Sequence, residues 1–354
     1  MTAHEENKLT LTPLRDAMYH WTDDSVRSAV AETFAVDASV HLAFPFEDLD
    51  GPAGLWDQAL SALSSALPDI ERRDYIVMAG ADEQGEHWIG CCGHYTGTWL
   101  RPFLEIPASG QQAAMRYHEF FRFVDGQVVE MQALWDLPEL MMQADLWPMG
   151  PSLGRFWHAP GPATLDGVNG GPRDDAMSAA SVDWVLEMLA DMGRHPSEPE
   201  EAMRLGHWWH PKFSWYGPAG IGTGRGVDGF RHWHQIPFLA AMPDRRVNFG
   251  TVSHFFGEGD YVGVTAWPGM AMTLSGDGWL GIAPAGREIT MRSLDFWRLE
   301  ADPVTGKRSI RENWVLVDLL HVWDQLGVDV LGRMRELDRP RRISQAHQVS
   351  SERR

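Results

Sequence analysis

The chain has 354 residues, 44% of them hydrophobic and 22% charged, enough for roughly two globular domains with a core each. Its 30 Lys and Arg against 49 Asp and Glu leave a net charge of −19. That charge repels phosphate backbones and argues against nucleic-acid partners. No apolar run approaches the ~20 residues of a membrane span, and the polar stretch Met1–Thr10 does not read as a secretory signal.

In chain order, strand-like runs fall at 72–80, 86–100, 111–124 and 127–135, followed by a helix at 137–145. The two cysteines, Cys91 and Cys92, are neighbours on the second of these runs and point to opposite faces. They cannot build a disulfide framework, so a reducing, cytoplasmic compartment is expected. His94 shares a face with Cys92, but residues two apart on a strand stand roughly 7 Å apart, too far for a thiol–imidazole pair. Residues 150–172 hold ten Gly or Pro among 23 and read as a linker. Phe156, Trp157 and His158 within it predict that it docks across one domain rather than swinging.

The second half opens with Val182, Val185, Leu186 and Leu189 at helical spacing, stopped by Gly193. Ser197–Glu200 has the capping-box pattern and predicts a further helix. Gly229–Ala240 reads as another. Strand-like runs follow at 247–256, 260–274, 287–299 and 309–317, and a last helix carries Leu319, Val322, Trp323 and Leu326 up to Gly327. The basic segment 338–354 reads as a solvated tail.

The two halves repeat each other. Leu67-Pro68-Asp69 recurs as Met242-Pro243-Asp244, and MRYHEFFR at 115–122 recurs as MRSLDFWR at 291–298, offsets of 175 and 176. The segment 127–143 aligns with 309–325, the extra six residues falling in a turn-like stretch. A period of this length is a domain duplication rather than a solenoid. Helices followed by a strand-rich half predict an α+β fold in each copy, a curved and mainly antiparallel sheet wrapped by helices around a cone-shaped pocket. The boundaries expected are 1–149, a linker at 150–172, 173–337, and the tail. Seventeen Trp suit either a wide cavity with bulky walls or two Trp-rich cores.

The segment IRENWVLVDLLHVWDQLGV at 310–328, with SLDFWRLE at 293–300 before it, resembles the closing motif of SnoaL-like polyketide cyclases, within the nuclear transport factor 2-like superfamily. The first copy, FFRFVDGQVVEMQALWDLPELMMQ at 120–143, is similar more loosely. The resemblance implies two cone-shaped barrels and cofactor-free, metal-free acid/base chemistry on an enolisable ester. It places the proton-carrying aspartate at Asp318, with Asp136 as its counterpart, and His118 in support.

Each of those residues has a structural alternative. An aspartate directly before a helix is a preferred N-cap, and such capping lowers its pKa, whereas an apolar pocket raises it. Counting back by two from Asp318 gives Leu316, Trp314 and Glu312; from Asp136 it gives Leu134, Gln132 and Glu130. The count places Trp314 and Gln132 near substrate; Trp135, and Tyr216 at the start of a glycine-rich loop read as a pocket mouth, are expected there too. Phe230, Trp233, His234 and Phe238 can share an inward helix face, with His234 as base or donor. His207 and His210, at i and i+3, can meet on a helix, but a metal centre needs more convergence than the sequence shows. The expected function is cyclisation, isomerisation or hydrolysis of a hydrophobic, carbonyl-bearing small molecule. The alternative is a non-catalytic small-molecule binder. The domains are expected to pair with each other or with a second chain.

Overall fold

The computed structural model describes residues 2–168, 174–247 and 252–338, so beyond Asp338 the expected tail lies outside the described residues. Two helices open the chain, Ala3–Tyr19 and Asp23–Thr33, each started by a threonine (Thr2, Thr22) whose hydroxyl accepts an N–H of the first turn. The strands that follow are β1 (Phe34–Leu42), β2 (Glu47–Leu49), β3 (Glu71–Ala81), β4 (His87–Thr98), β5 (Gln112–Val124) and β6 (Gln127–Trp135). Among the described residues they form one sheet in the order β2-β1-β6-β5-β4-β3, antiparallel except where β1 meets β6.

The second half repeats the plan. The helix Asp175–Gly193 leads into β7 (Trp209–Tyr216), β8 (Thr223–Arg225), β9 (Arg246–Val247), β10 (Ser253–Glu258), β11 (Tyr261–Thr273), β12 (Glu288–Ala301) and β13 (Arg308–Val317). Their sheet runs β10-β11-β12-β13-β7-β8, with β7 parallel to β13 and β9 beside β11. Each half is an α+β cone, as the duplication and the resemblance imply.

Three expectations change. The strands β1 and β7 were not anticipated: β1 follows its helix with no glycine or proline to mark the switch, and β7 begins directly after the short helix Leu205–Trp208 and carries Pro211, a residue that reads against a strand. The segment after Ser197 forms only a single turn of 3-10 helix, Glu200–Met203. The helix expected to carry His207 and His210 ends at Trp208, where β7 begins, so the two imidazoles never share a helix face.

The cones pack sheet against sheet. Met78, Trp88, Cys92, Phe120 and Leu134 of the first meet Phe256, Leu294, Phe296, Trp314 and Leu316 of the second in one apolar cluster. Phe120 and Phe296, equivalent in the repeat, stack with ring centroids 4.9 Å apart. Opposite each stands a glycine, Gly90 on β4 and Gly263 on β11. A Cβ on Gly90 would lie 2.8 Å from the Phe296 ring. The cones therefore pair within the chain, and both faces of the central strands are buried. β4 is buried at every position but its ends, the pattern of a strand covered on both sides.

The linker contacts both cones rather than one. Gly154 and Arg155 donate backbone N–H bonds to Ile221 and Thr223 of the second cone, while the Gly167 carbonyl accepts from Val77 of the first. Trp314 donates its indole N–H to the Pro160 carbonyl at 2.8 Å. No helix among the described residues is long and apolar enough to cross a membrane.

Candidate active site

Inside the second cone lies a cavity of about 130 Å³. This is on the scale of the ~150 Å³ engineered cavity that admits benzene. Its walls are mostly apolar and include four tryptophans, Trp209, Trp215, Trp279 and Trp297. The polar groups are few: Ser253, Ser293, Asp295, Asn313, His234 and Arg245. An apolar cavity with a small number of polar groups is the usual form of a ligand site.

Asp295 sits in the middle of β12, between Leu294 and Phe296 of the domain interface, so alternation turns its carboxylate into the cone. The surface it retains faces the cavity. Ser293 donates to its Oδ1 at 2.8 Å. Burial pushes its pKa up to about 7; the Ser293 bond and the Arg116 charge oppose the rise but do not cancel it. Asn313, across the ladder on β13, is anchored through Nδ2 to the Phe296 carbonyl.

His234 stacks on Trp215 with centroids 4.2 Å apart, between Phe230 and Phe238. Burial, aided by the charge of Arg245, lowers its pKa to about 3, so the ring is neutral at physiological pH. Its Nδ1 is buried without a hydrogen-bond partner. Arg245 lines the same cavity; burial lowers its pKa.

The first cone fills the equivalent space. Glu119, in the same column of the repeat as Asp295, is saturated by Arg72, by the Tyr95 hydroxyl at 2.9 Å and by the Trp135 indole at 3.0 Å. Arg72 also bonds Asp74, which takes Arg15 and the Tyr117 hydroxyl. Two carboxylates and two guanidiniums neutralise one another where the second cone has open space.

The anticipated residues divide. Phe230, His234 and Phe238 line the cavity, whereas Trp233 is 52% exposed because the helix turns it outward. Asp318, Asp136, His118, Trp314, Gln132 and Tyr216 lie at the junction of the cones instead. Asp318 accepts from the Phe44 N–H at 3.0 Å and the His321 N–H at 3.1 Å, with Arg292 at 3.4 Å. Burial raises its pKa to about 6 even so. Asp136 mirrors it, accepting from Ala219 at 2.9 Å with Arg116 at 3.6 Å. His118 Nδ1 meets the Leu294 carbonyl at 2.6 Å. Gln132 bonds Thr265, and Tyr216 bonds Glu312. Trp135 supports Glu119. The count by two along β13 was sound, but it followed the face toward the other cone; the cavity face is Asn313, Val315 and Val317.

This arrangement makes Asp318 a joint between domains. Replacing it with Ala strands two partly buried N–H groups, of Phe44 and His321, at up to about 1–3 kcal/mol for each unsatisfied group. Asp318→Ala is expected to lower the urea midpoint of unfolding while leaving ligand affinity in the cavity within about twofold. A large loss of affinity without loss of stability would return Asp318 to the site.

Asp295 was missed although the repeat carried its signal. Aligning HEF at 118–120 with LDF at 294–296 puts a carboxylate in one column of both copies.

The model of the SnoaL-like polyketide cyclase family matches residues 13–144. No curated protein matches the chain. Similar solved structures include AclR of Streptomyces galilaeus, a proposed hydroxylase, with 20% identity over 40% of this chain and 98% of that one, at a TM-score of 0.34. A provisionally assigned SnoaL-like polyketide cyclase from Jannaschia sp. CCS1 shares 24% identity over 40% of this chain and 93% of its own, at 0.34. IdmH of Streptomyces antibioticus, a proposed polyketide cyclase, shares 19% over 39% and 98%, at 0.32.

Proposed function

We propose, from a chain that carries a SnoaL-like polyketide cyclase domain, that the second cone is an acid/base enzyme acting on a hydrophobic, carbonyl-bearing small molecule. The observation that carries the proposal is Asp295: a carboxyl with a pKa near 7, set in the wall of an apolar cavity and bonded to a single serine. A group titrating near the working pH can both take and return a proton.

Asp295 as carboxylate removes a proton from the carbon beside the substrate carbonyl. The electron pair passes to the carbonyl oxygen, where the Arg245 guanidinium or the neutral His234 ring meets the developing charge. The enolate carbon then attacks a second carbonyl of the same molecule, or is reprotonated at another position. Asp295 returns its proton to the new alkoxide or to carbon. The first outcome is cyclisation, the second isomerisation. Four tryptophans at the cavity favour a planar, aromatic substrate.

The test uses aromatic ketones bearing α-hydrogens, such as acetonaphthone. Binding is read by quenching of tryptophan fluorescence, and proton abstraction by α-deuterium uptake in D2O followed by NMR. Saturable quenching with protein-dependent exchange is expected. Quenching without exchange across a panel of such ketones would assign the cavity to binding alone. Absence of both would remove the reading.

A further inference from the structure

We infer that His94, Glu139 and His158 form a binding site for a divalent transition metal of the zinc class, joining the linker to the first cone. It lies outside the cavity of the second cone and does not depend on its chemistry. Each of the three residues offers one ligand atom within 4.8 Å of the others.

His94 is the telling residue. It stands on β4, its side chain 1% exposed, and neither ring nitrogen has a hydrogen-bond partner. Buried imidazoles ordinarily have at least one. Its Nε2 stands 3.8 Å from Glu139 Oε1, close to the roughly 3.4 Å between ligand atoms of a tetrahedral zinc centre. The other oxygen of Glu139 accepts the backbone N–H of Arg116 at 2.7 Å, which aims Oε1 at His94.

His158 arrives from the linker. Its ring lies 3.9 Å from that of His94, tilted by 31°. The Tyr75 hydroxyl lies 3.0 Å from its Nε2 and fixes the ring, as an outer partner commonly does for a ligating histidine. Two cations lie near: Arg116, whose charge acts on both histidines, is occupied by the carbonyls of Tyr216, Gly217 and Val315 and stands 3.6 Å from Asp136, which offsets it, and Arg73, opposite His94 on the ladder, pairs with Glu71. A polar recess that includes Arg73, Tyr75, Thr96 and Gln112 opens beside the two histidines. Two histidines, one carboxylate and an approach for solvent match a zinc site with three protein ligands and a free fourth position.

The cluster Asp82, Glu86 and His254 also has ligand-like spacing. There the groups satisfy one another. His254 Nδ1 is 2.6 Å from Asp82 Oδ2, and Asp82 further accepts from Gln84, Glu86 and Trp88. It is a hydrogen-bonded contact between the cones, and it serves as the control.

The full chain, stripped with a chelator, is titrated with Co2+ and followed by visible d–d absorption, then by displacement with Zn2+. Saturation at one equivalent is expected, with a rise in melting temperature. His158 is exposed on the linker, so His158→Ala should fold normally by circular dichroism and lose at least about 100-fold in metal affinity. His254→Ala should titrate as the parent does. No saturable band in the parent would overturn the assignment. So would an unchanged titration in His158→Ala, or a loss confined to His254→Ala. The ketone exchange of the second cone is read separately, so either result leaves that question intact.

Discussion

Replacing Asp295 with Asn is expected to lower α-proton exchange by about 10²- to 10⁴-fold, the usual worth of a positioned acid/base group, while leaving acetonaphthone quenching nearly unchanged. The amide keeps the shape and the Ser293 contact but cannot carry the proton. The same substitution should stabilise the protein in one pH range. Asp295 has a folded pKa near 7 against an ordinary value of 3.8. Between those limits the folded state holds a proton that the unfolded state has released, so stability falls as pH rises. The protonated carboxyl's advantage is fully present below pH 4 and lost by about pH 7, a swing on the order of 4 kcal/mol. Asp295→Asn removes that slope. Its urea midpoint should match the parent near pH 4 and exceed it at pH 8. A variant less stable than the parent at both pH values would mean that the carboxylate is paired in the fold, and the proposed role would fall with it.

The duplication, the closing strand–helix motif and the late strands were readable because local spacing sets them: apolar alternation, a glycine stop, an aspartate before a helix. The cavity was harder to read for a physical reason. In a lone sheet with one wet face, alternation separates inside from outside. Here Leu294, Phe296, Trp314 and Leu316 are buried against the first cone, and Ser293, Asp295, Trp297 and Asn313 face the cavity. Both sets are hidden from solvent, and the more hydrophobic set belongs to the joint. Counting by two from Asp318 thus led along the joint. The helix residues Phe230, His234 and Phe238 suffered no such ambiguity, since that helix has one inward stripe, and Trp233 failed only by lying off it.

Loss of Arg72 is expected to be the most damaging single change to the fold. Its side chain is 1% exposed, bonds Glu119 and Asp74, and lies with its guanidinium carbon 4.2 Å from the Tyr117 ring centroid. Arg72→Met leaves Glu119 as a buried charge with only neutral donors, Tyr95 and Trp135, at a cost of about 3–5 kcal/mol. Asp74 keeps Arg15 and the Tyr117 hydroxyl, so it is not orphaned. The double change Arg72→Met with Glu119→Leu removes both charges and should regain most of the loss, because a well-packed apolar pair is often as stable as a buried ion pair. Urea unfolding followed by circular dichroism, run as a double-mutant cycle, measures the coupling. A single variant within about 1 kcal/mol of the parent would show that the network is dispensable. A large coupling would show the first cone's interior to be held by charges where the second keeps a reactive space. The Glu119 column then has two physical fates: paired with an arginine it is a strut, and shortened to aspartate without one it titrates near neutrality.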